Sequence, residues 1–199
     1  MIVIDEKKIF EIIEKRNPTS VALNGPDGLL HKVQDLALRI GKKFGIPAFV
    51  LADTTWGTCD LNSVGAKVLN AEIQFNIGHT SRLETIEKNV IMIDAFDDIS
   101  FDSVTEKCIG MFRGKTISLI TDSQHLHKIK PVKDALEENG VDVKIGKGQG
   151  QLNDGQVFGS EFYPAMETED IVDANVFLGQ SDFHAAGIAM ATNLSLIHI

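Results

Sequence analysis

Short apolar runs alternate with segments of helical period along the whole chain, and a glycine-bearing break follows most of the runs. No other feature narrows the fold as much, because few architectures alternate strand and helix from one end to the other. The segment Ser20–Asn24 reads as a buried strand, Gly25-Pro-Asp-Gly28 interrupts it, and Leu29–Lys43 carries Leu30, Val33, Leu36, Ala37 and Ile40 on one helical stripe. An amphipathic helix with Ile9, Ile12 and Ile13 precedes this unit. Further strands are expected at Pro47–Leu51, Ile73–Ile77 and Val90–Ile93, then a helix near Ser103–Met111. The cycle restarts with strand Thr116–Ile120, helix Leu126–Glu138, strands Val141–Ile145 and Val176–Leu178, and helix His184–Ala191. The stretch Gly146–Asp154 between them is loop-like. The expected class is α/β, with mostly parallel sheets joined by right-handed crossovers.

The alternation also repeats. Leu30-His-Lys-Val33 returns as Leu126-His-Lys-Ile129, Gly57-Thr58 as Gly159-Ser160, and Gly78-His-Thr-Ser81 as Gly179-Gln-Ser181. The order is kept and the offset is about a hundred residues each time, the signature of a duplicated unit. Two tandem three-layer units are therefore expected, residues 1–110 and 111–199, with the boundary between Ile99 and Lys115.

Composition limits the partners. The chain has 199 residues, 43% hydrophobic and 24% charged, enough for a packed core rather than disorder. Lysine plus arginine number 19 against 28 acidic residues, a net charge of −9, which argues against direct nucleic-acid binding and against an anionic membrane surface. No apolar run is long enough to cross a bilayer, and the first residues lack the layout of a signal peptide. Two cysteines, Cys59 and Cys108, form no disulfide framework, so the expected location is cytoplasmic.

In open α/β sheets ligands collect beyond the carboxyl ends of the strands. Polar clusters stand there at Asn24–Gly28, Asp53–Asp60, Gly78–Arg82, Thr121–His127 and Gly179–His184. The richest, Asp53-Thr-Thr-Trp-Gly-Thr-Cys59-Asp60, holds the single tryptophan and a thiol that could act as nucleophile, as soft metal ligand or as nothing more than a loop cysteine. Cys108 sits on an apolar helical stretch and reads as core. His31 and His127 read as exposed or capping residues, the pair His125 and His127 suits one face of a strand, and His79 and His184 are open to either a structural or a functional role. No zinc spacing, Walker lysine motif, dinucleotide fingerprint or serine elbow is present, and Gly146-Lys-Gly-Gln-Gly150 lacks the helix a phosphate loop needs.

Taken together, these clusters resemble the diphthamide synthase family, 2-(3-amino-3-carboxypropyl)histidine synthase, in its archaeal and eukaryotic radical form. The resemblance is carried by VALNGPDGLLHKV, ADTTWGTCDLN, GAKVLNAEIQFNIGHTSRL, TDSQHLHKIKPVKDALEENG, GQVFGS and GQSDFHAAGIAMAT, in the family's order. It implies three related α/β units, a 4Fe-4S cluster held by one cysteine from each, and S-adenosylmethionine as the group donor. It also implies translation elongation factor 2 as the protein substrate, and a homo- or heterodimer. By position Cys59 is the first cluster ligand. The resemblance further implies that Asp53, Thr55, Gly78, His79, Ser81, Gly179 and Ser181 bind cofactor. A shared strand-end site requires that Cys59, Gly78–Ser81 and Gly179–Ser181 converge on one cleft between the units, which is the expectation here. Two departures stand out. Ser160 occupies the expected second-ligand position, where a hydroxyl is a poorer iron ligand than a thiolate, and a third unit with its cysteine is missing. The ending Leu194-Ser-Leu-Ile-His-Ile199 resembles a translated adapter tail, with an authentic short strand as the alternative. Alternative functions are a non-catalytic partner subunit of the same pathway, or a small-molecule binding module with an inert Cys59.

Overall fold

The computed structural model describes residues 2–55, 57, 60–82, 87–159 and 161–199. The chain divides into two compact units, Val3–Ala95 and Phe96–Ile199, with Ile2 grouped with the second. The first runs β1 (Ile2–Ile4), α1 (Glu6–Arg16), β2 (Val21–Asn24), α2 (Leu30–Phe44), β3 (Ala48–Val50), α3 (Ser63–Val68), β4 (Ile73–Ile77) and β5 (Val90–Ile93), and β6 (Ala95–Asp97) spans the division. The second continues with α4 (Asp102–Phe112), β7 (Thr116–Thr121), α5 (Ile129–Glu138), β8 (Asp142–Lys144), α6 (Tyr163–Glu167), β9 (Ala174–Leu178), α7 (Asp182–Ala191) and β10 (Leu196–His198).

Each unit has its own four-stranded sheet, with every described pairing in it parallel: β3-β2-β4-β5 in the first and β8-β7-β9-β10 in the second. Numbered by order within its unit, each sheet reads 2-1-3-4. Identical strand order at matching sequence offsets agrees with the duplication read from the repeated anchors. β1 and β6 form a separate two-stranded sheet.

Parallel strands covered on both faces read as unbroken apolar runs. β2, β4, β5 and β9 are buried at every residue. In the second unit the two faces are distinct. Ile117 and Leu119 of β7 and Val176 and Leu178 of β9 pack with Cys108 and Phe112 of α4 and Val132 and Leu136 of α5. The alternate residues Ile120 and Phe177 pack instead with Ala165 of α6 and Ala185 and Ile188 of α7. This is the expected three-layer arrangement. In the first unit, α2 buries Val33, Leu36, Ala37 and Ile40. A bidentate Arg39–Glu6 pair, 2.6 Å at both contacts, ties α2 to α1.

The division lies ahead of the expected residue 110. The reason is α4, which shares its core with β7 and α5, so the whole helix folds with the second unit. Residues 126–138 are also not one helix. A 3-10 segment, Ser123–Lys128, leads into α5. Its three residues per turn send His125 inward and His127 outward, so the two rings do not share a face. The last residues form β10, which pairs in register with β9, Leu196 opposite Asn175 and His198 opposite Phe177. Among the described residues no helix is long and apolar enough to cross a membrane.

Candidate functional site

In a 2-1-3-4 parallel sheet the chain leaves strands 1 and 3 in opposite lateral directions. The carboxyl ends of those two strands therefore frame a crevice. In the first unit the crevice lies at the ends of β2 and β4, where Gly25-Pro26 meets Gly78. A Cβ at Gly78 would stand 3.3 Å from Pro26 Cδ and 3.4 Å from Leu29 Cδ1, and Gly78 has φ +91°, so both space and backbone call for glycine. The next residue, His79, has its Nδ1 buried without a hydrogen-bond partner. Burial pushes its pKa down, opposed by the charge of Asp60, so the neutral ring is favoured at neutral pH. Thr80 is buried and Ser81 half-buried.

Beneath this crevice lies a ladder of buried side-chain amides that sequence inspection did not single out. Asn24 Nδ2 donates to Asn76 Oδ1 (3.0 Å) and Gln74 Nε2 donates to Asn24 Oδ1 (3.0 Å), while Gln74 Nε2 also bonds the Leu61 carbonyl. Asn24 and Asn76 are cross-strand partners, so the ladder follows from sheet register. It ties the strand ends to the segment after residue 60. Asp53 is exposed and accepts from Asn62 Nδ2 at 2.5 Å. Thr55 is buried, and its hydroxyl donates to the Asp53 carbonyl at 3.3 Å. Cys59 lies outside the described residues, as does Ser160. Next to the latter, Gly159 adopts φ +56°, and Phe158 and Glu161 exchange backbone hydrogen bonds.

The second unit repeats the crevice with different chemistry. Thr121 ends β7 and its hydroxyl donates to the Leu178 carbonyl at 2.7 Å. Asp122 follows and caps the 3-10 segment by accepting from the Gln124 amide at 3.0 Å. Across the crevice, Gly179 is packed so closely that a Cβ there would meet the Phe177 ring at 2.5 Å and Asp122 Oδ2 at 3.2 Å. The Gly179 carbonyl is bonded to His198 Nε2 at 2.9 Å. Gln180 donates to Asp97 at 3.3 Å, and Ser181 occupies the N-cap of α7 without a side-chain cap bond. His125 is fully buried with both ring nitrogens unpartnered, and His184 Nδ1 is likewise buried and unpartnered. Asp122 and these two histidines carry the electrostatics of this crevice. The signal for Asp122 was an acidic cap directly after a buried strand.

Within each unit, then, the structure brings the residues after strand 1 together with the glycine turn after strand 3. The loop Gly146–Asp154 holds no free phosphate cradle. Its Gly148 amide donates to Asp154 Oδ1 at 2.8 Å and its Lys147 amide to Glu167 at 3.1 Å, so carboxylates already occupy both donors. Cys108 is core, as read from its sequence context. It is 1% exposed, and burial pushes its thiol pKa up. His31 and His127 are exposed.

The sequence profile of the diphthamide synthesis protein family matches residues 25–199. The chain belongs to this family. It is 27% identical over 199 residues to the 2-(3-amino-3-carboxypropyl)histidine synthase of Pyrococcus horikoshii, covering 98% of this chain and 57% of that protein. Subunit 1 of the corresponding synthase from Gibberella zeae is 25% identical over 187 residues, covering 91% of this chain and 40% of its own length. The crystal structure of Dph2 from Pyrococcus horikoshii with a 4Fe-4S cluster superimposes with a TM-score of 0.90 at 27% identity, covering all of this chain and 59% of that one. The chain thus spans little more than half the length of these relatives, at most.

The donor set of these 199 residues does not fit a cluster of the three-cysteine kind. The sequence has two cysteines. Cys108 is buried in the core cluster that also holds Phe101, Phe112 and Leu136, and its raised pKa disfavours the thiolate that iron requires. That leaves Cys59 as the one thiol outside the described core, with a serine at position 160.

Proposed function

We propose that the chain carries two units of a transferase of diphthamide biosynthesis. The reaction is transfer of the 3-amino-3-carboxypropyl group from S-adenosylmethionine to a histidine of translation elongation factor 2. The observation that carries this reading is the likeness to Dph2 along the full chain, with sequence and fold agreeing. The glycine turns stand at strand ends beside the reversal of strand order, where open parallel sheets commonly bind ligands, and this supports the reading. In this reading Asp53, Thr55, Gly78, His79, Ser81, Gly179 and Ser181 contact the group donor, and Cys59 is the chain's single iron ligand. Such a protein acts in the cytoplasm, as a homo- or heterodimer.

A second reading is favoured by the donor set. With one available thiol, the chain suits a partner subunit that keeps the fold without holding a cluster of its own.

One experiment separates the two. A chimera joins this chain, carrying Ser160→Cys, to the portion of the Pyrococcus horikoshii synthase that it does not span. Anaerobic reconstitution is followed by an assay for transfer of label from carboxyl-labelled S-adenosylmethionine to elongation factor 2. The chimera is expected to bind iron stoichiometrically and label the factor, and its Cys59→Ala version to do neither. An iron-loaded chimera that leaves the factor unlabelled overturns the transferase reading. Stimulation of a separately supplied synthase by the unmodified chain, undiminished by Cys59→Ala, favours the partner-subunit reading.

A further inference from the structure

Residues 148–199 contain no lysine or arginine but seven aspartates and glutamates, so seven of the chain's net nine negative charges arise there. Charge alone defines no site. The same stretch, however, builds the layer of α6 and α7 on one face of the second sheet, and the outward side of that layer is apolar.

The sequence of α7 is DFHAAGIAMA, in which Asp182 and His184 are the only ionisable residues. A helix that is apolar all round is normally covered all round. Here Ala185 and Ile188 join the core beneath the layer. Phe183, Ala186 and Met190 form a separate stripe at positions i, i+3 and i+7 and face outward, Phe183 at 64% and Met190 at 88% exposure. Two contacts hold α6 beside this helix. Phe162 lies against Gly187, where a Cβ would overlap the ring, and Asn193 donates to Glu169 through its backbone N–H at 2.7 Å and its Nδ2 at 2.8 Å. Tyr163 and Met166 of α6 are exposed as well. Large outward-facing apolar side chains gathered on one layer mark an interaction surface.

The ends of the two helices are acidic. Glu161 precedes α6, Glu167 ends it, Asp170 follows and Asp182 begins α7, all of them exposed. Their contacts bring in no permanent cation. Asp182 lies 3.4 Å from His198 Nδ1, and Glu167 accepts from the backbone N–H of Lys147, whose ammonium is paired with Asp154 at 3.0 Å. Two copies meeting through this face would set these carboxylates against their own equivalents, and like-charge repulsion disfavours that arrangement. An anionic lipid surface is disfavoured for the same reason. An apolar centre between acidic ends is complementary to an apolar stripe flanked by lysine or arginine, which an amphipathic helix presents.

We propose that the outward face of α6 and α7 docks a cationic amphipathic helix of a partner protein, its apolar stripe on Phe183 and Met190 and its basic residues over the carboxylates at the helix ends. The proposal does not rest on the transferase reading.

The test uses the 199-residue chain with carbon-13 in its methionine methyl groups. The probe is a fluorescein-labelled helical peptide of leucine and lysine at amphipathic spacing, and its counterpart has glutamate in place of lysine. The lysine peptide is expected to bind at least about tenfold more tightly than the glutamate peptide, and to weaken as salt rises. It should shift the methyl signals of Met166 and Met190 and leave those of Met92, buried in the first unit, and Met111, exposed on α4. Phe183→Ser with Met190→Ser is expected to weaken the lysine peptide at least about tenfold. Glu161→Gln with Asp170→Asn should weaken it about threefold and flatten its salt dependence. Equal affinity for the two peptides overturns the proposal, as does binding that leaves Met166 and Met190 unmoved or shifts Met111 as much. Self-association of the chain that Met190→Ser abolishes assigns the face to a second copy and overturns it too. So does a chimera with the remaining portion of the Pyrococcus horikoshii synthase in which the Met190 signal has already shifted and the peptide no longer binds, because the face is then covered by more of the same chain.

Discussion

Removing both partners of the buried amide ladder should cost less than the sum of removing each alone. Asn24→Ala deletes the bonds to Asn76 Oδ1 and from Gln74 Nε2, both 3.0 Å, in a place where Asn24 and Asn76 are wholly buried. Gln74 Nε2 keeps the Leu61 carbonyl as a partner, but Asn76 Oδ1 is left without a donor. One orphaned buried acceptor costs about 1–3 kcal/mol, and the second lost bond about 1 kcal/mol, so the expected loss is about 2–4 kcal/mol. Asn76→Ala orphans the Asn24 amide in turn and should cost about 1–3 kcal/mol. In the double variant the orphan disappears, so its loss should fall short of the sum by about 1–2 kcal/mol. Urea unfolding reads this out through the single tryptophan, Trp56, which belongs by sequence to the same unit. At a slope of about 2 kcal/mol per molar, Asn24→Ala should lower the midpoint by about 1–2 M. Additivity within about 0.5 kcal/mol would refute the ladder as a coupled network. So would a loss below about 0.5 kcal/mol for Asn24→Ala.

Two further outcomes follow from burial. Cys108 should resist iodoacetamide in the native chain and react only in urea, as mass spectrometry of the peptide will show; native-state labelling contradicts its place in the core. Burial lowers the pKa of His79 and His184, so the unfolded chain takes up protons first as pH falls through the ordinary histidine value of about 6.5. Their contribution to stability is therefore present above that pH and is lost between it and their depressed folded values. Asp122, whose carboxyl pKa burial raises, acts with the opposite sign above the ordinary carboxylate range, so the test compares variants. The drop in urea midpoint from pH 7.5 to 5.5 should shrink in the His79→Gln, His184→Gln double variant, and an unchanged drop would remove both rings from the account.

Much of the fold was legible because parallel strands buried on both faces leave a local trace. Ile73–Ile77 and Val90–Ile93 are uniformly apolar or amide-bearing, and their limits match β4 and β5 residue for residue. The helical stripe Val33, Leu36, Ala37, Ile40 is the buried face of α2. Glycine was equally legible where the backbone demands it, as at Gly78. The unit boundary was not. Whether α4 belongs before or after it depends on which core Cys108 and Phe112 join, and that is a long-range choice. The 3-10 turn at Ser123–Lys128 escaped too, since helical spacing does not distinguish a tight turn from a regular one, and the turn decides which histidine is buried.

The site divides in the same way. Sequence alone determined which residue types stand beyond which strands: glycine after β4 and β9, acid after β7, a thiol at position 59 and a serine at 160. It also determined that these stretches occur in the order of the diphthamide synthesis family. Only the tertiary structure decided which groups go without partners. Hydrogen bonding and burial are properties of neighbours brought together across the sheet, Asn24 with Asn76, or Asp122 with Gly179. A sequence names the donors and acceptors, but only packing determines which of them are left over.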